Sequence, residues 1–299
     1  MNLRLLSALL SSSLLSGAPL AEEGTFEADG VKLHYATEGK GEPLVLLHGW
    51  IADSTMWGRD AEGRVKLDAK GAEGFQLIAL DCRGHGRSGA PREPEKYGVE
   101  LAQDIVRLLD HLGLPKAHLL GYSSGAFIAG KFAALHPERV LSVVFAGQAP
   151  LVTGSPMSFS EVEFLAQIVA EGGELGEYVL GITPAGWPRP TPEQAQAYAD
   201  FLFAGKDIEG IVLAGMSFPK LEVTREELAR CTAPMLFMHG GKESEHVKGR
   251  VASVHALLGR GEVFVLPAGD HMTTLMQPEF TPKLLGFARA ASAAAAAPR

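Results

Sequence analysis

An α/β fold with a mostly parallel, doubly wound sheet is predicted by two observations. Short, mostly apolar runs, as expected of strands buried on both faces, recur along the chain, and helical patterns separate them. A third observation refines this. The alternation pauses over residues 151–230, where only helical patterns and Gly/Pro-rich joints occur, so an inserted helical cap is expected there.

Residues 1–21 read as an export signal. Arg4 precedes an uncharged leucine/serine run over residues 5–15, and small residues follow at Ser16, Gly17, Ala18 and Ala21. The run is shorter than the roughly 20 apolar residues that span a bilayer. Pro19 obscures the cleavage register. A periplasmic or secreted location is therefore expected.

The first part of the core is assigned to residues 24–150. It opens with a hairpin, Thr25-Phe-Glu-Ala-Asp-Gly-Val-Lys-Leu-His-Tyr35, in which Asp29-Gly30 is the turn and Val31, Leu33 and Tyr35 alternate with polar residues. Buried strands are predicted at residues 43–47, 75–80, 117–120 and 140–145. Leu101, Ile105, Leu108 and Leu112 mark one face of a helix that Gly113 and Pro115 end. Residues 124–136 form another, stopped by Pro137. In the cap, residues 160–170 and 192–203 read as helices, joined through Thr183-Pro-Ala-Gly-Trp-Pro-Arg-Pro190. The core resumes over residues 231–290, with strands at 234–238 and 262–266, a helix near 247–258 and a last helix from about residue 274. The alanine-rich tail, 291–299, has little to bury and is expected to be disordered.

Of the 299 residues, 46% are hydrophobic and 21% charged, and the net charge is −8. That balance argues against a nucleic-acid or anionic-membrane partner, since phosphate binding needs a basic surface. Beyond the leader, no segment is apolar enough for stable membrane insertion. Two cysteines in an exported chain invite a disulfide. However, Cys82 follows the C-terminal end of one predicted strand and Cys231 precedes the N-terminal end of another. Opposite sheet edges lie about 15–20 Å apart, and a bridge needs Cα atoms within about 7 Å. Two free thiols are expected.

Gly121-Tyr-Ser-Ser-Gly125 fits Gly-x-Ser-x-Gly between a strand and a helix. A strand turning sharply into a helix leaves no room for side chains two residues either side of the tip. Ser123 would then be held there with its hydroxyl exposed, as a nucleophile. Ser124 would begin the helix, where its unpaired N–H can donate to a developing oxyanion.

With this elbow, His48-Gly-Trp50, Asp81-Cys-Arg-Gly-His-Gly-Arg-Ser88 and Gly269-Asp-His271, the sequence resembles the α/β-hydrolase family from about Gly24 to the last helix. The stretch His48-Gly-Trp-Ile-Ala-Asp-Ser-Thr-Met-Trp57 is most similar to the bacterial arylesterase and cofactor-free haloperoxidase branch. The resemblance implies the Trp50 N–H as second oxyanion donor. Many peroxidase or perhydrolase members carry proline after that tryptophan. Ile51 stands there instead, which favours ester hydrolysis.

A serine nucleophile needs a base. His271 follows the last predicted strand, in the chain order the family implies, where it can reach over the C-terminal sheet edge. His48 and His239, at strand ends, are expected to be structural; His111, His136 and His255 fall on helices. The acid should follow the strand at 234–238, in His239-Gly-Gly-Lys-Glu-Ser-Glu-His246. Family members usually have Asp where Glu243 stands, so Glu243 is the choice and Glu245 the alternative. Asp270 is poorly placed beside His271, and the other position some members use offers only Gly147-Gln148.

Other patterns are weaker. Gly84-His-Gly-Arg-Ser-Gly89 resembles a dinucleotide loop, but Pro91 and Pro94 forbid the helix that would hold a pyrophosphate. Gly241-Lys242 lacks the rest of a phosphate loop. His239, Glu243 and His246 have no known metal-ligand spacing. No cofactor or metal is expected. Trp187, Phe201, Phe203, Met216 and Phe218 could line an acyl pocket, with packing the main role for most. The expected function is hydrolysis of a small ester or related acyl compound. C–C bond hydrolysis or acyl transfer on the same triad remains an alternative, as does a non-catalytic ligand-binding protein.

Overall fold

The computed structural model describes residues 22–58, 72–183 and 188–296. Strands β1 (Glu22–Ala28) and β2 (Val31–Gly39) form the hairpin. Its turn residues, Asp29 (φ 53°) and Gly30 (φ 76°), both take the positive φ of a two-residue turn that matches strand twist. Then come β3 (Gly41–Leu47), β4 (Gly74–Leu80), β5 (Ala117–Tyr122), β6 (Val140–Ala146), β7 (Met235–Gly240) and β8 (Glu262–Leu266). The sheet order is β1-β2-β4-β3-β5-β6-β7-β8. β2 is antiparallel to both neighbours, and every later pair is parallel.

Helices cover both faces. α1 (Val99–His111) and α2 (Ser124–Leu135) pack on one, where Ile105, Leu108, Phe132 and Ala133 meet Val45, Ile78, Leu119 and Val143. From β3 the chain steps to β4 on one side and then to β5 on the other. That reversal opens a crevice at the C-terminal ends of β3 and β5, the usual place for a ligand in an open α/β sheet.

The cap follows β6. Its neck is closed by backbone bonds from Val223 N–H to Leu151 and from Thr153 N–H to Val223 (2.8 and 2.9 Å). Between them lie α3 (Ser160–Glu171), α4 (Leu175–Ile182), α5 (Pro192–Leu202) and α6 (Ile208–Met216). Leu165, Ile168, Tyr178, Val179, Ala199, Phe203 and Ile211 form the cap's own core, into which Ile51 inserts from the turn after β3. After the cap, α7 (Arg225–Ala229) leads to β7, α8 (Glu245–Leu258) joins the first helical layer, and α9 (Phe280–Ala296) covers the other sheet face.

The expected disorder of 291–299 is corrected as far as residue 296. Helix α9 runs on to Ala296, Ala291 is buried, and Ser292 Oγ donates to Glu42 (2.6 Å). Alanine is the strongest helix former, so this run extends the helix it follows. Residues 297–299, the leader at 1–21 and Trp187 lie outside the described residues. Cys82 and Cys231 are buried free thiols, as the strand topology predicts.

Candidate active site

Ser123 follows β5 at φ 53°, ψ −121°, a strained conformation for a residue with a side chain. Its surroundings leave little alternative. The Ser123 N–H donates to Ala146 at the end of β6 (2.8 Å). A Cβ on Gly121 would stand 2.3 Å from the Gly125 carbonyl oxygen, and one on Gly125 only 2.2 Å from that of Leu47. The two glycines of the motif thus let α2 start directly against the ends of β5 and β3.

His271 lies in the loop after β8, its Nε2 3.0 Å from Ser123 Oγ. Its Nδ1 is 3.1 and 3.2 Å from the two carboxylate oxygens of Glu243. A carboxylate only accepts, so Nδ1 carries the proton and Nε2 is left to accept from the serine. Burial alone would lower the His271 pKa, but the Glu243 hydrogen bond and charge outweigh it and raise it. Glu243 is 4% exposed. Its loop is zipped to the histidine loop by Gly241 N–H to Leu266 (2.8 Å) and Lys242 N–H to Gly269 (2.9 Å). Side chains at Gly240 or Gly241 would block that approach: a Cβ on Gly240 would lie 2.1 Å from the Gly269 oxygen.

The alternative acids point elsewhere. Glu245 is 91% exposed and pairs with Lys248. Asp270 caps its own turn, accepting from Met272 N–H, Thr273 N–H and Thr273 Oγ. Gln148 accepts from Arg250.

The turn after β3 borders the serine, for a Cβ on Gly49 would stand 3.2 Å from Ser123 Cβ. The Gly49 carbonyl accepts from His48 Nδ1 (2.8 Å) and from Ala52 N–H (3.1 Å). His48 Nε2 in turn accepts from Cys82 N–H (3.0 Å), which fixes the tautomer with the proton on Nδ1. Burial holds His48 neutral by lowering its pKa. With its carbonyl pinned on one side, the planar 49–50 peptide presents the Trp50 N–H on the other. Ser124 is buried as the first residue of α2, and its N–H has no partner within the helix.

The segment 81–89 supports this turn. Burial would raise the Asp81 carboxyl, but hydrogen bonds from His34 Nδ1 (2.8 Å), Arg87 N–H (3.0 Å) and Ser54 N–H (2.6 Å) hold it at about 2. Gly86 packs on that carboxylate, where a Cβ would lie 2.5 Å from its Cγ. His85 is neutral, burial pushing its pKa down to about 3. Among the described residues, no cluster of His, Cys, Asp and Glu could hold a metal. His239 instead bonds the Gly240 carbonyl, and His246 accepts from Arg250 (2.8 Å).

Residues 42–173 match the family model described as alpha/beta hydrolase fold. A carboxylesterase from Nitrososphaera gargenis superposes over 91% of this chain and 99% of its own, with a TM-score of 0.72 and 22% identity. A bromoperoxidase from Bacillus anthracis does so over 90% and 100%, with a TM-score of 0.69 and 23% identity. This chain has the α/β-hydrolase fold. In sequence it is 32% identical over 128 residues to bifunctional epoxide hydrolase 2 of Rattus norvegicus. That match takes in 42% of this chain and 22% of the relative's length.

Two buried side chains escaped the sequence reading. Tyr122 Oη donates to the His271 carbonyl (2.6 Å), so the residue before Ser123 fixes the loop that carries His271. Arg250 is buried against the Phe127 ring, and its described hydrogen bonds reach the Pro156 carbonyl, Gln148 and His246, all neutral. Burial pulls its pKa down to about 10. Of the suggested pocket residues, Phe203 and Phe218 are buried in cores, whereas Phe201 and Met216 are exposed.

Proposed function

We propose that this chain is a serine hydrolase that cleaves a small ester or related acyl compound through an acyl-enzyme. The observation that carries this reading is the Ser123–His271–Glu243 constellation on a strand-to-helix elbow, with hydrogen-bond contacts of 3.0 and 3.1 Å. Ser123 Oγ attacks the acyl carbon as His271 Nε2 takes its proton. Glu243 stabilises the resulting imidazolium, and the N–H groups of Trp50 and Ser124 hold the oxyanion. His271 then protonates the leaving alcohol. Water, activated by the same imidazole, releases the acid. The export signal adds a periplasmic or secreted location to the proposal.

The epoxide hydrolase relatives favour a second reading, but the nucleophile argues against it. Epoxide hydrolases use an aspartate nucleophile. Opening an epoxide with a carboxylate gives an ester that water can cleave. Opening it with Ser123 would give an ether that this triad has no means of cleaving. A fluorophosphonate should label the protein once, at Ser123, and label Ser123→Ala not at all. A panel of small aryl esters should be hydrolysed by the native chain only. Epoxide turnover that survives Ser123→Ala would overturn the proposal, while acyl transfer to added alcohols or C–C cleavage would change the reaction but keep the triad.

A further inference from the structure

The turn that carries Trp50 holds an unusual residue. Ala52 N–H closes it onto the Gly49 carbonyl, and Ile51, third in the turn, has φ 68°. That position normally takes glycine or asparagine, and a β-branched residue there is strained. Proline, with φ fixed near −65°, could not occupy it. Two groups from the cap meet the turn. The Trp50 indole donates to the Ile211 carbonyl in α6 (2.8 Å), and Lys206 Nζ donates to the Ile51 carbonyl (2.6 Å).

These bonds lie in series. The Ile51 carbonyl that accepts from Lys206 belongs to the same peptide as the Ala52 N–H. That N–H donates to the Gly49 carbonyl, which belongs to the same peptide as the Trp50 N–H. Each peptide passes polarisation on, because drawing electron density to a carbonyl oxygen makes the N–H across the same amide a stronger donor. From the serine-hydrolase reading above, on which this rests, we infer that Lys206 is a positioning residue that strengthens the oxyanion donor at Trp50 through two peptide units. The cap thereby contributes to transition-state stabilisation from outside the triad. Lys206 touches no reacting atom.

The charges around the ammonium fit this role. Burial pulls the Lys206 pKa below its usual range, opposed by the Asp53 carboxylate. Its other charged or titratable surroundings are His48 and His85, whose pKa values burial and its own charge lower, and the adjacent Asp207, which is tied to Arg92 (2.8 Å). The ammonium thus has one opposing carboxylate beside it, Asp53, which works against the effect of burial.

The test compares the native protein with Lys206→Met and Lys206→Arg on a small aryl ester, alongside binding of a trifluoromethyl ketone that forms a tetrahedral adduct. Removing an oxyanion donor outright costs about 10²–10³-fold in kcat, and weakening one should cost less. Lys206→Met should lower kcat roughly 2- to 8-fold with KM unchanged, and weaken the ketone in parallel. Lys206→Arg should restore most of both. Unchanged kcat in Lys206→Met, or a loss confined to KM, would overturn the inference. Should that variant fail to fold, the native enzyme decides. Its kcat should decline on the alkaline side as Lys206 loses its proton below the ordinary lysine range, and a flat profile to pH 10.5 would refute the relay. Absence of both labelling and turnover in the native protein would overturn the serine-hydrolase reading and the relay with it. Turnover indifferent to Lys206 overturns the relay alone.

Discussion

Gly125→Ala tests how the elbow and the turn after β3 are held together. The new Cβ would stand 2.2 Å from the Leu47 carbonyl oxygen and 2.9 Å from that of His48. Ordinary contact begins at 3.4 Å, so the first turn of α2 must retreat from the end of β3 by about 1.2 Å. The atoms met are backbone on both sides, and no rotamer change can absorb the clash. Ser123 and Ser124 belong to the retreating element, and Trp50 to the one left behind. The two oxyanion donors therefore separate, while His271 is carried by neither. A misplacement of about 1 Å in an active site costs on the order of 10²-fold in rate. Overpacking typically costs about 1–3 kcal/mol of stability as well. The assay is kcat for a small aryl ester, with the fluorophosphonate labelling rate and a thermal melt on the same preparation. A folded Gly125→Ala protein with kcat within threefold of native would refute the reasoning, because α2 would then have moved without disturbing the donors.

Glu243→Gln should keep the fold and cut kcat steeply; the corresponding change in the serine-protease template costs about 10⁴-fold. Glu245→Gln should leave activity unchanged, and the opposite pattern would move the acid two residues along. Activity should fall with decreasing pH as His271 gains its proton. Because Glu243 raises the His271 pKa, this limb should lie above the ordinary histidine range in the native enzyme and shift to lower pH in Glu243→Gln. A limb that stays in place would dissociate the two groups. Tyr122→Phe loses the part-buried bond that anchors the His271 loop, and should lower kcat about tenfold with a stability loss of about 1–3 kcal/mol read by a thermal melt. Thiol titration of the denatured protein should count two free cysteines, and added reductant should leave the melting temperature unchanged.

Most of the sheet was legible because buried parallel strands have no polar face. The runs at 75–80 and 140–145 needed only one added residue each. Helices α4 and α6 were not legible. Leu175–Ile182 and Ile208–Met216 each carry one charged residue, Glu177 and Glu209, among glycines and apolar residues, so no polar stripe marks the exposed face. The alanine tail misled in the other direction, its low complexity masking high helix propensity. In the site, Ser123 and His271 announced themselves through glycine spacing and position after a strand. The choice of Glu243 leaned on resemblance. Lys206 left no sequence signal because its partner, Ile51, lies 155 residues away. Tyr122 looked like filler between a glycine and a serine, because what it holds is a backbone carbonyl 149 residues along.

The three triad residues hang from unequal parts of the sheet. Ser123 rises from β5, flanked by β3 and β6 and buried along its whole length. Glu243 and His271 follow β7 and β8, and β8 is the sheet's edge, with Val263 and Val265 facing solvent. Edge strands open at lower free energy than central ones. Warming should therefore detach the base from its orienting acid, which follows the internal strand β7, while the nucleophile and its helix stay native. Such a state keeps its helical content and most of its near-UV signal, yet turns over nothing, and it recovers on cooling by re-pairing a single five-residue strand. The temperature at which activity vanishes should therefore lie below the temperature at which the chain unfolds.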